Sequence, residues 1–250
     1  MTSNLKTLLG IEQFNKLREA IRSAQLDFKN TRQISPALLF ITLAVALVPL
    51  LAHSVGKFYS FDIISILIGS SALISWIAMR RMGISFLRRD RIYQDIKLTH
   101  YAFAFGCIPG VLILLFVGFD SIKPTEVLSK EGLGLVETGI FARVVFITLV
   151  ALWAAITEEL IFRALLIGVV RRLSLFSNQS RRDLFAILIS SAIFALSHAI
   201  SWGPLMGLAL LGIGIGLGFA FVASREHIFP LIVYHCLFDI LSLTAIFLYK

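Results

Sequence analysis

Residues 139–170, GIFARVVFITLVALWAAITEELIFRALLIGVV, form a 32-residue run that is apolar except for a few positions. As one straight α-helix it would reach ~48 Å at ~1.5 Å per residue, against ~30 Å for the hydrocarbon core of a bilayer. The helix must therefore tilt, break or extend past the membrane, and Gly168 is a candidate soft point. In its middle stand Glu158, Glu159 and Arg163. Ionisable groups inside a membrane segment are costly, and are functional-site candidates by default.

The rest of the chain supports a membrane setting. Of 250 residues 58% are hydrophobic and only 15% charged, whereas soluble domains average about a quarter charged. Besides 139–170, apolar segments occur at 36–54, 60–79, 100–119, 184–201, 204–223 and 230–249. The expected fold is all-α: a polytopic helix bundle of about seven transmembrane helices, residues 36–250. Residues 1–35 form a polar cytoplasmic segment before it. Within that segment Leu8, Ile11, Phe14, Leu17, Ile21 and Phe28 recur at helical spacing among basic residues, as in an amphipathic helix on the membrane surface or against the bundle. No cleavable signal is evident, so the first span is expected to act as an uncleaved anchor.

Lys and Arg alternate between the connecting regions. Six precede the first segment and six lie in the second loop (Arg80, Arg81, Arg88, Arg89, Arg91, Lys97). Four lie in the fourth loop (Arg171, Arg172, Arg181, Arg182), and the other connections hold two or fewer. That pattern predicts a seven-span chain with its N-terminus in the cytoplasm. The net charge of +8 then reflects cytoplasmic loops beside anionic lipid rather than nucleic-acid binding. Cys107 and Cys236 lie inside apolar runs and make neither a disulfide framework nor a zinc motif.

Away from the segment ends, the acidic residues and histidines within segments are Glu158, Glu159, His198, His235 and Asp239. Glu159 and Arg163 are four apart, the spacing and order of an intrahelical ion pair. Glu158 points ~100° away from Glu159 and is free to face a cavity. His235 and Asp239 share a face, as do Phe194 and His198. Glu158 is 13 residues before Arg171 and His198 is 15 after Asp183. Both thus lie ~20 Å along the helix from the basic loop that joins their segments. His235 and Asp239 lie ~8 and ~14 Å into the last segment. Any one of these groups alone is as readily structural as functional, but chance placement of all at compatible depths is the poorer account.

Gly212, Gly214, Gly216 and Gly218 have the wrong spacing for a dinucleotide fingerprint. They form two overlapping GxxxG pairs, which favour close helix packing over a substrate groove. The sequon at Asn178 falls in a loop expected in the cytoplasm and is discounted.

A carboxylate with two imidazoles, away from bulk water, suits activation of a water molecule: the glutamate takes a proton and the hydroxide attacks a carbonyl. The resulting oxyanion needs hydrogen-bond donors. Ser197 is next to His198, and adjacent residues point apart on a helix, so no serine triad is expected. HExxH is absent. Glu158, His198 and His235 are candidate ligands for Zn²⁺, and the sequence leaves the cofactor as either none or zinc.

Glu158-Glu159-x-x-x-Arg163, Phe194-x-x-x-His198 and His235-x-x-x-Asp239 resemble the EExxxR, FxxxH and HxxxN/D motifs of the CPBP family of intramembrane proteases. These include type 2 CAAX prenyl endopeptidases and bacterial bacteriocin-processing or self-immunity proteins. The resemblance covers about residues 139–245. It implies that Glu158 activates the water with His198 helping to hold it, that Glu159 and Arg163 complete the motif, and that His235 and position 239 stabilise the oxyanion. The eukaryotic branch carries asparagine where this chain has Asp239, and an ionised aspartate cannot donate a hydrogen bond. Asp239 must be protonated, orient His235 or bind a metal.

The expectation is an intramembrane endopeptidase in a bacterial inner membrane, its site opening to the cytoplasm. Its partners are membrane lipid and a hydrophobic or membrane-delivered peptide, such as a leader peptide, bacteriocin or signalling peptide, with no nucleic acid. The rivals are a non-proteolytic scaffold or regulator of the same family, and a proton-coupled transporter.

Overall fold

The computed structural model describes residues 15–16, 18–20, 34–55, 61–117, 139–173 and 176–248. Most of the N-terminal amphipathic stretch and the loop 118–138 lie outside these residues. Seven long helices make up the described part: α1 Pro36–Val55, α2 Phe61–Arg81, α3 Ile92–Val117, α4 Ile140–Arg172, α5 Gln179–Trp202, α6 Pro204–Ala223 and α7 Phe229–Leu248. Within α3 to α6, four stretches are long and apolar enough to cross a membrane: Ile92–Ile113, Ile140–Arg172, Gln179–Ile200 and Pro204–Ala223. Large apolar side chains such as Phe40, Ile66, Phe141 and Leu241 point outward and stay exposed, as lipid-facing residues do. The chain is an integral membrane protein.

α6 is the central post. Its glycines work in two sets. A Cβ built on Gly212 or Gly216 would meet the backbone of Gly110 or Gly106 on α3, within 3.1 and 2.9 Å. One on Gly214 or Gly218 would meet Ser191 or Ile187 on α5. Each GxxxG pair thus admits a different neighbour, which leaves a third stripe, Met206, Leu210 and Ile213, on the wall of a cavity. α5 passes into α6 through one residue, Gly203, whose φ of 88° places it in the left-handed region that glycine tolerates. The Asn178 side chain accepts from the Ser180 N–H at 2.8 Å and caps the start of α5.

Three expectations need correction. α4 does not break at Gly168. It is helical throughout, with a π-helical stretch at Glu159–Ile167. Gly168 instead makes room for packing, since a Cβ there would lie 2.7 Å from Ile84 Cδ1. α3 starts eight residues before the expected 100, because Asp95 in its first turn is buried rather than in a loop. Its carboxylate receives His227 Nδ1–H at 2.8 Å, while His227 Nε2 accepts the Arg88 N–H at 3.0 Å.

Thirdly, Arg171, Arg172 and Asp183 are buried, not loop charges in water. Arg171 pairs with Asp183 and Glu226, both at 2.7 Å, and Arg172 pairs with Glu226 at 2.8 Å. Arg225 and Glu226 have φ of 57° and 63°. These are two successive non-glycine residues in the left-handed region, at a cost of about 1–3 kcal/mol each. The turn they form delivers the Glu226 carboxylate to both arginines. This ion cluster ties α4, α5 and the α6–α7 turn together at one end of the bundle.

Candidate active site

The Arg171–Asp183 pair is the reference that levels the site. Those two residues are in contact, and Glu158 and His198 lie 13 and 15 positions beyond them on α4 and α5. The two side chains accordingly meet, with Glu158 Oε1 3.7 Å from His198 Nε2. His235 enters from α7 with Nε2 3.5 Å from Glu158 Oε2 and 3.5 Å from Asp239 Oδ2. The four groups expected to converge do so.

Adjacent glutamates have opposite surroundings. The Glu158 side chain is 21% exposed and lines a cavity, whereas that of Glu159 is 0% exposed, behind the wall. Glu159 Oε1 lies 3.0 Å from Arg163 Nη1, as the spacing predicted, and also accepts from His235 Nδ1 at 2.7 Å. A carboxylate only accepts, so Nδ1 carries a proton and Nε2 is the atom turned to the cavity. Glu159 therefore links α4 to α7 as well as pairing within its own helix.

His198 is oriented by its own helix. Its Nδ1 lies 2.8 Å from the Phe194 carbonyl, another pure acceptor, so in the neutral ring Nε2 is bare and faces Glu158. Ser197 does not point away as expected. Its Oγ is 3.3 Å from His198 Nδ1, but it gives its own hydrogen to Phe194 O at 2.7 Å, which makes it a prop rather than a nucleophile. The separations of 3.5–3.7 Å around Glu158 are longer than direct hydrogen bonds. One water can touch the carboxylate and an imidazole together across such a gap.

Phe194 holds these parts apart and in order. Its ring lies 4.5 Å from that of His198 and 6.3 Å from that of His235, centroid to centroid, with the Arg163 guanidinium 4.8 Å over it. The cation–π contact adds to the 3.0 Å ion pair with Glu159 in holding the buried Arg163 charge. On α5, Ser190 Oγ donates to Phe162 O in the π-helical stretch at 2.7 Å, a cross-helix bond.

The cavity has a volume of about 240 Å³. Glu158, His198, His235 and Asp239 lie on its wall, and Trp153, Trp202, Met206, Leu210 and Phe238 supply much of the apolar remainder. Of the six candidate residues, four touch this space, while Glu159 and Arg163 support it from behind. Of the candidate zinc ligands, Glu158 lies 3.7 Å from His198 and 3.5 Å from His235, and among the described residues no group of three or more His, Cys, Asp or Glu stands out as a metal site. The chemistry below uses protein groups and water.

Sequence reasoning missed two features. The Glu159–His235 bond joins residues 76 positions apart and carries no local signal. The π-helical stretch likewise has no pattern that sets it apart from an α-helix in this sequence.

Fold and site together define a helical integral membrane protein with a cluster of carboxylates and imidazoles inside its bundle. Residues 140–241 match the family model for type II CAAX prenyl endopeptidase, Rce1-like. Over that segment the chain is similar to the Rce1-like family, which is consistent with a CPBP-family protease. Neither the curated proteins nor the solved structures contain a match.

Proposed function

We propose that the chain is an intramembrane endopeptidase in which Glu158 activates the attacking water. Glu158 takes one proton from a water held between its carboxylate and His198 Nε2. The hydroxide adds to the carbonyl carbon of a peptide bond, and the C=O electron pair moves onto oxygen. His235 Nε2, when protonated, donates to that oxyanion. Collapse breaks the C–N bond, and Glu158 returns its proton to the leaving amine. General-base catalysis of this kind contributes about 10²–10⁴-fold.

The observation that supports this reading most is the position of Glu158: a carboxylate in a cavity inside a membrane bundle, 3.7 and 3.5 Å from two imidazoles whose other nitrogens are already committed. The Rce1-like match over the same residues supports proteolysis as the activity class. Asp239 shares His235 Nε2 with Glu158, and its role in this reading is to aim that nitrogen. The substrate is a hydrophobic or membrane-delivered peptide, and the setting a seven-span chain in a bacterial inner membrane with its N-terminus in the cytoplasm.

The test is cleavage of a peptide library by the purified protein, with Glu158→Gln and His198→Ala beside it. Both variants should lose cleavage while staying folded. Full cleavage by Glu158→Gln overturns the mechanism, and a biological effect that survives both variants points to a scaffold.

A further inference from the structure

Hydroxyl groups inside the bundle share a habit. Thr42, Ser71, Ser75, Thr157 and Ser242 each donate to the carbonyl four residues back on their own helix. Ser190 departs from it. Buried on α5, its Oγ donates across to the Phe162 carbonyl on α4 at 2.7 Å. That carbonyl lies in the π-helical stretch Glu159–Ile167. A side chain inserted into the hydrogen-bond ladder of a helix is a recognised cause of local departure from α geometry.

The π-helical stretch begins one residue after Glu158 and ends four residues before Arg171. At its end the Gly168 N–H donates to the Arg163 carbonyl five residues back, where an α-helix would use the fourth. A turn closed this way holds one residue more than an α-turn. If the stretch relaxed to α, the part of α4 before it would rotate by ~100° against the part after it. The later part cannot follow, because Arg171 and Arg172 are held by Asp183 and Glu226. Glu158 would leave the cavity wall, and Glu159 would move off His235 Nδ1.

Ser190 is also in register with the site. Ser190, Phe194 and His198 follow one another at four-residue steps along one face of α5. The first holds the Phe162 carbonyl, and the second meets the Phe162 ring edge-to-face at 5.2 Å between centroids. The third faces Glu158 at 3.7 Å. Neighbouring Ser191 packs instead against Gly214 of α6, and its Oγ meets no hydrogen-bond partner among the described residues. α5 thus grips one residue of the π-helical stretch by both its backbone and its ring.

We propose that Ser190 is a positioning residue of the site: its bond to the Phe162 carbonyl holds the π-helical geometry of α4, and with it Glu158 on the cavity wall and Glu159 against His235. The inference rests on the protease reading for its effect on catalysis, but not for its effect on the helix.

The experiment reads helix and reaction separately, in the full chain with Cys107→Ser and Cys236→Ser reconstituted in liposomes. Spin labels on Leu149→Cys and Leu208→Cys, both exposed positions, measure α4 before the π-helical stretch against α6. Labels on the exposed Leu188→Cys and on Leu208→Cys measure α5 against α6, a distance that the stretch does not enter. In Ser190→Ala the first distance should shift by several ångströms and the second should stay. Peptide cleavage by the unlabelled Ser190→Ala should fall about tenfold or more in kcat, with KM little changed. An unchanged first distance, or an unchanged kcat in a chain that cleaves, overturns the proposal. Shifts in both pairs overturn it too, a variant that fails to fold included, since Ser190 would then serve stability alone. A shift of the first pair only, in a chain that cleaves nothing, sinks the protease and keeps the role of Ser190 in the helix. Glu158-dependent cleavage that Ser190→Ala leaves untouched, with both distances unchanged, does the reverse.

Discussion

Glu158 and Glu159 are neighbours in sequence with different tasks. Glu159 is fully buried and shared between Arg163 and His235. Glu159→Gln would leave the Arg163 charge buried with only the Phe194 ring beside it. We expect a loss of about 3–5 kcal/mol in stability, read by unfolding in mild detergent, together with weaker cleavage as His235 loses its anchor. Glu158→Gln, at the cavity wall, should remove cleavage and leave stability nearly unchanged. Much of this pattern was legible in the sequence. The four-residue spacing foretold the Glu159–Arg163 pair, and the angle between successive residues foretold that Glu158 turns to a cavity. The depth comparison worked because Arg171 and Asp183, its reference points, are in contact at 2.7 Å. The bond from Glu159 to His235 was not legible, because nothing short of the fold relates the two positions.

At the scale of helices, the apolar segments lie within a few residues of the observed elements except where charge is buried. α3 begins early because Asp95, His227 and the Arg88 backbone satisfy one another, and a hydropathy pattern reads such residues as loop. The glycines of α6 were legible as close-packing positions, but their partners Gly106 and Gly110 on α3 were not singled out. A Cβ on Gly106 would come within 2.0 Å of the Gly216 Cα, backbone that has no side chain to move aside. Gly106→Val should therefore destabilise the bundle by at least about 1–3 kcal/mol, measured by unfolding, with cleavage falling in parallel as α6 shifts. An unchanged melting point would mean that the α3–α6 contact is not tight.

Across the whole molecule, one end is pinned by ions and the other holds the cavity. Glu226 reaches both Arg171 and Arg172. Glu226→Gln should cost about 3–5 kcal/mol, because it strands buried guanidinium charge, while the parts of the site, remote from it, keep their chemistry. Unfolding and cleavage rate at a temperature where the variant is folded separate the two. The same cluster explains why counting arginines in loops overstated the free charge of the fourth connection: two of its four are buried and neutralised. The water-and-glutamate route predicts that treatment with a strong chelator leaves cleavage intact; a loss reversed by Zn²⁺ would contradict it. The most direct test of that route is cleavage of one identified peptide in heavy-oxygen water by the reconstituted protein and by Glu158→Gln. The account predicts one heavy oxygen in the new carboxyl group with the unaltered protein and no product above background with the folded variant. Product formed by Glu158→Gln at the unaltered protein's rate would contradict it.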